Sequence, residues 1–203
     1  MGAGYLLNPL VFLVDTLFGL YILIVMLRFL LQCTRADFYN PVSQFLVKLT
    51  NVPLRPLRRF IPGWGGIDMA SIVLMFGLQL VALTLLLLLA GATPTLSLLP
   101  GLLMATLTKL VSLLLYVYVF GIFILVILSW VSPGGYNPVA SLLYSITEPV
   151  MRPARRIIPP ISGIDLSPMA VLIVLYVVRM LVIPPLQLAT VKAGYPAAAL
   201  GLL

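Results

Sequence analysis

An all-α integral membrane protein, with four transmembrane helices arranged as two tandem repeats of the same orientation, is the architecture this sequence predicts. Three observations lead there. Hydrophobic residues make up 62% of the chain and charged ones 8%, with a mean hydropathy of +1.19, well outside the range of ordinary soluble domains. Four apolar stretches each reach the roughly 20 residues needed to cross a bilayer. A long polar motif recurs at a fixed spacing between them.

The apolar stretches cover residues 10 to 33, 69 to 91, 105 to 131 and 167 to 190. In the fourth, Pro184 and Pro185 predict that the regular helix ends near Ile183, since proline removes a backbone donor and clashes with the preceding turn. The start, MGAGYLLNPL, has no basic region ahead of its full-length apolar run, so it is read as a retained span and not as a cleavable signal. With 203 residues, four spans leave no room for a sizeable soluble domain.

The repeat has an offset of 97 residues and no gap. YNPVSQFLVKLTNVPLRPLRRFIPGWGGID at 39 to 68 aligns with YNPVASLLYSITEPVMRPARRIIPPISGID at 136 to 165, and fifteen of the thirty positions are identical. Such self-similarity signals duplication. The units are residues 10 to 92, with an arginine-rich loop at 34 to 67, and residues 105 to 190, with its loop at 132 to 166; residues 191 to 203 form a tail. A unit with two spans returns to its starting side, so the copies are parallel and a pseudo-two-fold axis along the membrane normal is expected.

Within each loop, Asn40 and Asn137 stand before Pro41 and Pro138, the pairing of a helix cap with a proline at the first helical position. A short interfacial amphipathic helix of about ten residues, some 15 Å long, should follow. Its apolar stripe is Val42, Phe45, Leu46 and Leu49 in one copy and Val139, Leu142, Leu143 and Ile146 in the other. The prolines of the next motif, Arg-Pro-x-Arg-Arg-x-Ile-Pro, should keep that helix from extending.

Arg55, Arg58, Arg59, Arg152, Arg155 and Arg156 lie in this motif. They admit two readings, topology determinants that anchor to headgroups or a duplicated site for anionic lipid or an acidic partner. Each loop closes on Gly-Ile-Asp, so Asp68 and Asp165 can cap the following helix. Ser167 before Pro168 is an equally good cap, which would free Asp165 to pair with Arg155 or Arg156. By the positive-inside bias both loops face the cytoplasm and both termini the other side.

Ionisable residues inside spans are the default place to look for function. Arg28 sits near the loop end of its span and is expected to snorkel outward. Arg179 and Asp15 lie about 20 and 27 Å from that end at 1.5 Å per residue, close enough for an intramembrane ion pair acting as a clasp or, alternatively, as part of an ion or proton pathway. Their repeat equivalents, Ala82 and Ser112, carry no charge.

Several function classes are disfavoured by what the chain lacks. It has no histidine, one cysteine and five acidic residues, so no disulfide, CxxC, histidine-based metal site or paired-carboxylate site is expected, and neither a cofactor nor a metal is implied. Cys33 is read as a small packing residue. The net charge of +7 comes from basic residues interleaved with prolines beside apolar segments, which suits anionic headgroups and not nucleic acid.

The duplicated YNP, RPxRRxIP and GxD motifs, with Ser129-Trp130 before the second loop, resemble the YggT family of small bacterial membrane proteins over nearly the whole chain. Gln32-Cys33 replaces Ser-Trp in the first copy. The resemblance implies the two-repeat bacterial form in the inner membrane. It also implies an association with osmotic or potassium stress, with the neighbourhood of division genes or, in plastid relatives, with haem-protein maturation. A non-enzymatic scaffold or assembly factor contacting membrane lipids, a protein partner or a second copy is the leading expectation. A small channel or transport component is the alternative.

Overall fold

The computed structural model describes residues 3–131, 137–158 and 165–196. The stretches 132–136 and 159–164 of the second loop, with Tyr136, Pro159, Gly163 and Ile164 of its motifs, and residues 197–203 of the tail lie outside the described residues. The elements in chain order are α1 (Ala3–Cys33), α2 (Pro41–Phe60), α3 (Met69–Leu89), a 3₁₀ turn (Leu96–Leu98), α4 (Leu99–Val131), α5 (Pro138–Ile157) and α6 (Ser167–Lys192). Among the described residues there is no strand, only an isolated bridge between Trp64 and Ile67.

Four of these helices, at Leu7–Cys33, Met69–Leu89, Leu96–Val131 and Ser167–Lys192, are long and apolar enough to cross a membrane. Their outward faces carry large exposed apolar side chains, Phe12, Leu17, Ile173 and Leu181 among them. In water such a surface would aggregate; against lipid tails it is solvated. Packing between the helices then rests on close contact and interhelical hydrogen bonds.

Helices α1 and α3 form one hairpin and α4 and α6 the other. Helices α2 and α5 sit together at one end, where the Asn40 side chain donates to the carbonyl of Pro138. Both arginine-rich segments thus emerge at the same end, as a parallel duplication requires. A central cluster joins the repeats, with Ile22, Val25 and Met26 of α1 packed with Leu46 of α2, Met75 of α3, Val117 of α4 and Leu142 and Ile146 of α5.

The expected pseudo-two-fold arrangement is only partly realised. Helix α3 packs along α4, but the equivalent pair, α6 and α1, is not packed together. The physical reason is connectivity: a short connector at residues 90–98 holds α3 beside α4, while α6 and α1 have no such tether. A cleft remains between α1 and α6.

Four sequence expectations about helix length and burial are corrected. The loop helices run for 20 residues each, through Pro53 and Pro56 in α2 and Pro149 and Pro153 in α5. Where Pro53 withdraws its donor, the orphaned carbonyl of Leu49 accepts from the Tyr21 hydroxyl at 3.3 Å. The apolar stripe is also rotated: α2 buries Ser43, Leu46, Thr50 and Leu54 and leaves Phe45 and Leu49 exposed. In α5 the equivalents Leu142 and Ile146 are buried, because α5 leans on α1 while no matching contact joins α2 to α4.

Likewise α6 continues past Pro184 and Pro185 to Lys192. Its last turns are held to α4, where buried Thr108 and Thr190 hydroxyls lie 3.1 Å apart. Tyr195, just beyond, is buried against α4, and neighbouring helices of this kind let membrane helices tolerate prolines. Cys33, finally, is exposed and is not the core packing residue expected.

Candidate functional site

Three helices end with the same backbone device, in which a left-handed residue lets two amide groups fold back onto the last turn. Gly91 (φ 79°) closes α3 and Gly194 (φ 96°) closes α6. At the end of α1 the left-handed residue is Arg35, with φ 51°. Its amide donates to Gln32 at 3.2 Å and that of Ala36 to Leu31 at 2.9 Å. A side-chain-bearing residue there costs about 1–2 kcal/mol relative to glycine.

That turn brings Arg35 to a pocket of about 410 Å³, lined also by Arg28, Arg58, Gln32, Ser43 and the apolar groups of Leu31, Phe38, Leu46 and Val47. Three arginines and no carboxylate line it. Arg28 does not snorkel outward, as the sequence suggested. It is buried and donates to the Thr50 hydroxyl and, at 3.2 Å, to the Val47 carbonyl. The reason is that α2 lies along the flank of α1, offering acceptors closer than the membrane surface.

Arg58 is held from behind. It pairs with Asp68, which is 5% exposed, and Asp68 also accepts from the Ser71 hydroxyl at 2.6 Å. Burial alone would raise the Asp68 carboxyl, but the hydrogen bonds from Arg58 and Ser71 and the Arg58 charge outweigh it and hold the group below the ordinary carboxylate range. Asp68 occupies the N-cap position of α3 without a side-chain bond to the helix backbone, so its partner is the arginine.

The second repeat keeps this pair. Arg155 donates to Asp165 at 3.2 Å and to Glu148 at 3.1 Å, and Arg152 reaches Glu148 at 3.4 Å. Asp165, one residue ahead of the Leu166 N-cap, also accepts from the amide of Ser167, the first residue of α6, at 2.9 Å. Burial again pushes its carboxyl up, and Ser167 and Arg155 more than offset it, leaving it lowered. The expected pairing of Asp165 with Arg155 is formed, while neither Asp165 nor Ser167 holds the cap position, Ser167 being the first residue of the helix. Asn40 and Asn137 each cap their helix, accepting from Val42 and Val139 at 2.9 Å.

Of the remaining loop arginines, Arg55, Arg59 and Arg156 are exposed and have no ion-pair partner among the described residues. They are not in the pocket. Sequence reasoning missed Arg28 and Arg35 as members of the arginine cluster. The signal available was a span arginine and a non-glycine residue two positions after a helix end.

The other candidate pair, Asp15 and Arg179, is not formed: no ion pair joins them within 4.0 Å. Arg179 instead donates to the Tyr116 hydroxyl at 2.6 Å and stacks over that ring at 4.6 Å. The tyrosine is nearer because α4 packs against α6 whereas α1 stands away from it. Both charges nevertheless line one cavity of about 430 Å³ between α1 and α6, together with Gln79, Thr108, Lys109, Ser112 and Gln187.

A model of the CCB3/YggT family matches this architecture twice, over residues 7–89 and 104–186. The chain belongs to the CCB3/YggT family. Its relatives include an uncharacterized protein of Pseudomonas aeruginosa, 48% identical over 180 residues that make up 89% of this chain and 91% of the relative. They also include the uncharacterized protein YggT of Escherichia coli K12, 38% identical over 181 residues, 89% of this chain and 93% of the relative. No solved structure matches the chain. The two copies of the CCB3/YggT unit correspond to the two helical hairpins, each with its arginine-bearing helix.

Proposed function

We propose that this CCB3/YggT protein is a non-enzymatic membrane scaffold whose arginine-rich end grips the headgroup of an anionic lipid. The observation that carries this reading is the pocket shared by Arg28, Arg35 and Arg58, with no carboxylate in its lining. Of the three, Arg28 is buried with only the neutral acceptors Val47 and Thr50, and a buried positive charge without a counter-charge is costly and calls for an anion. Guanidinium groups suit phosphate oxygens, and the apolar lining from Leu31, Phe38, Leu46 and Val47 suits the adjoining glycerol and acyl carbons.

Arg55, Arg59 and Arg156, which have no ion-pair partner among the described residues, add long-range attraction to an anionic leaflet, about 1 kcal/mol for each basic residue near the surface. The charge bias favours a bacterial inner membrane with this end in the cytoplasm. The absence of histidine and the presence of only five carboxylates support the non-enzymatic reading.

The test is retention of lipid by purified protein in nanodiscs containing phosphatidylglycerol in phosphatidylcholine. Native mass spectrometry should detect retained phosphatidylglycerol, with Arg35→Gln reducing it several-fold. Equal retention of the two lipids, unchanged in Arg35→Gln, would refute the scaffold reading. A second reading, a small transport component, is favoured by the polar cleft between α1 and α6 and is tested by ion flux into liposomes.

A further inference from the structure

The end of the molecule away from the arginines has its own unexplained chemistry. Arg179 lies twelve residues into the 26-residue helix α6, about 18 Å along a hydrocarbon layer about 30 Å thick. Asp15 lies eighteen residues before the end of α1, about 27 Å along, and Lys109 is ten residues after the start of α4. All three line the cavity between α1 and α6, as do Gln79, Ser112 and Gln187.

Charges at this depth are expensive and ordinarily neutralise one another. Here they do not: neither Lys109 nor Arg179 comes within 4.0 Å of Asp15. Arg179 is fixed by its bond to the Tyr116 hydroxyl and its stack on that ring. Its Nε is buried without an acceptor. The cavity therefore holds opposite charges apart, Asp15 on α1 and Lys109 and Arg179 on α4 and α6, with the amides of Gln79 and Gln187 and the hydroxyl of Ser112 also in its lining.

We propose that this cleft binds a small zwitterionic solute whose ammonium group meets Asp15 and whose carboxylate meets Arg179. A ligand carrying both charges completes each wall, whereas a simple anion or cation satisfies one and meets repulsion at the other. The cavity volume of about 430 Å³ falls within the range of small-molecule pockets. Binding here is independent of the lipid reading, because the arginine pocket shares no lining residue with the cleft.

The charge separation of the ligand is the readable variable, so the probes are unbranched ω-amino acids from glycine to 6-aminohexanoate. Binding to the full chain in nanodiscs is measured calorimetrically, with hexanoate and hexylamine as single-charge controls. One chain length should bind best, at least tenfold more tightly than either control. Asp15→Asn and Arg179→Gln should each weaken it at least tenfold, while phosphatidylglycerol retention stays unchanged and reports an intact fold. No binding across the series overturns the proposal, as does equal binding of the single-charge controls. Lipid retention lost with zwitterion binding kept would count against the scaffold reading alone.

Discussion

The side-chain amide of Asn40 donates to the main-chain carbonyl of Pro138 at 2.8 Å, so the cap of α2 in one repeat grips the first residue of α5 in the other. Asn40 is 2% exposed and also caps its own helix through Val42. Asn137, its repeat equivalent, caps α5 through Val139 and Ala140. One residue type at one repeat position therefore carries a local task twice and an inter-repeat task once.

Asn40→Ala should consequently cost more than Asn137→Ala. A lost cap costs about 1 kcal/mol, and Asn40→Ala in addition leaves the Pro138 carbonyl without that donor, a further cost of about 1 kcal/mol or more. Thermal unfolding of the two variants in one detergent measures the difference. Equal shifts would show that the contact between repeats contributes nothing.

The Arg58 and Asp68 pair sets an acid limit on stability. The Asp68 and Asp165 carboxyls are both lowered in the folded state. Their contribution is therefore fully present above the unfolded carboxylate value of about 3.9 and is lost as pH falls through the folded value. The melting temperature should be flat from neutral pH to about pH 5 and fall below about pH 4, and Asp68→Asn should flatten that fall. Asp68→Asn should also destabilise at neutral pH, by about 1–3 kcal/mol. Asp165→Asn should cost less, because Asp165 is 43% exposed and Arg155 keeps Glu148.

Arg35→Gly separates stability from binding. Glycine accepts the left-handed backbone that Arg35 adopts at φ 51°, so the variant should be more stable by up to about 1 kcal/mol. It should at the same time lose anionic-lipid retention, since a pocket arginine is gone. Chemical denaturation alongside lipid mass spectrometry checks both halves. Reduced stability would show that the side chain is there for packing.

Gly101→Ala should undock the segment after α6. A Cβ at Gly101 would lie 2.6 Å from the Tyr195 amide nitrogen and 2.9 Å from the Ala193 carbonyl, both backbone atoms with little room to give. Overpacking of that kind costs about 1–3 kcal/mol, and protease cleavage near Tyr195 should accelerate. Gly121→Ala is the contrast: its Cβ would meet the Thr147 side chain at 3.4 Å, an ordinary contact, and stability should change by less than about 1 kcal/mol.

Much of the fold was legible because hydrocarbon imposes a simple rule on sequence. Spans must be long and apolar, so residues 69 to 91 in the sequence correspond closely to Met69–Leu89 in the structure. Caps are also local, and Asn40 and Asn137 announced themselves through the prolines that follow. The extent of α2 and α5 was not legible, because proline is disfavoured in a helix by a local cost that a distant partner such as Tyr21 can offset. The position of Arg28 was hidden for the same reason: its acceptors, Thr50 and Val47, are remote in sequence.

By itself the sequence determined the class of protein, the duplication, the parallel sense of the two units and the residues that cap their loop helices. These follow from composition, period and short-range hydrogen bonding. Only the tertiary structure decided which charges meet: Arg58 with Asp68, Arg179 with Tyr116 in place of Asp15, and Arg28 with the backbone of α2. Side chains pair by proximity in space, and in a duplicated chain that proximity depends on how the two hairpins pack, which no local pattern encodes.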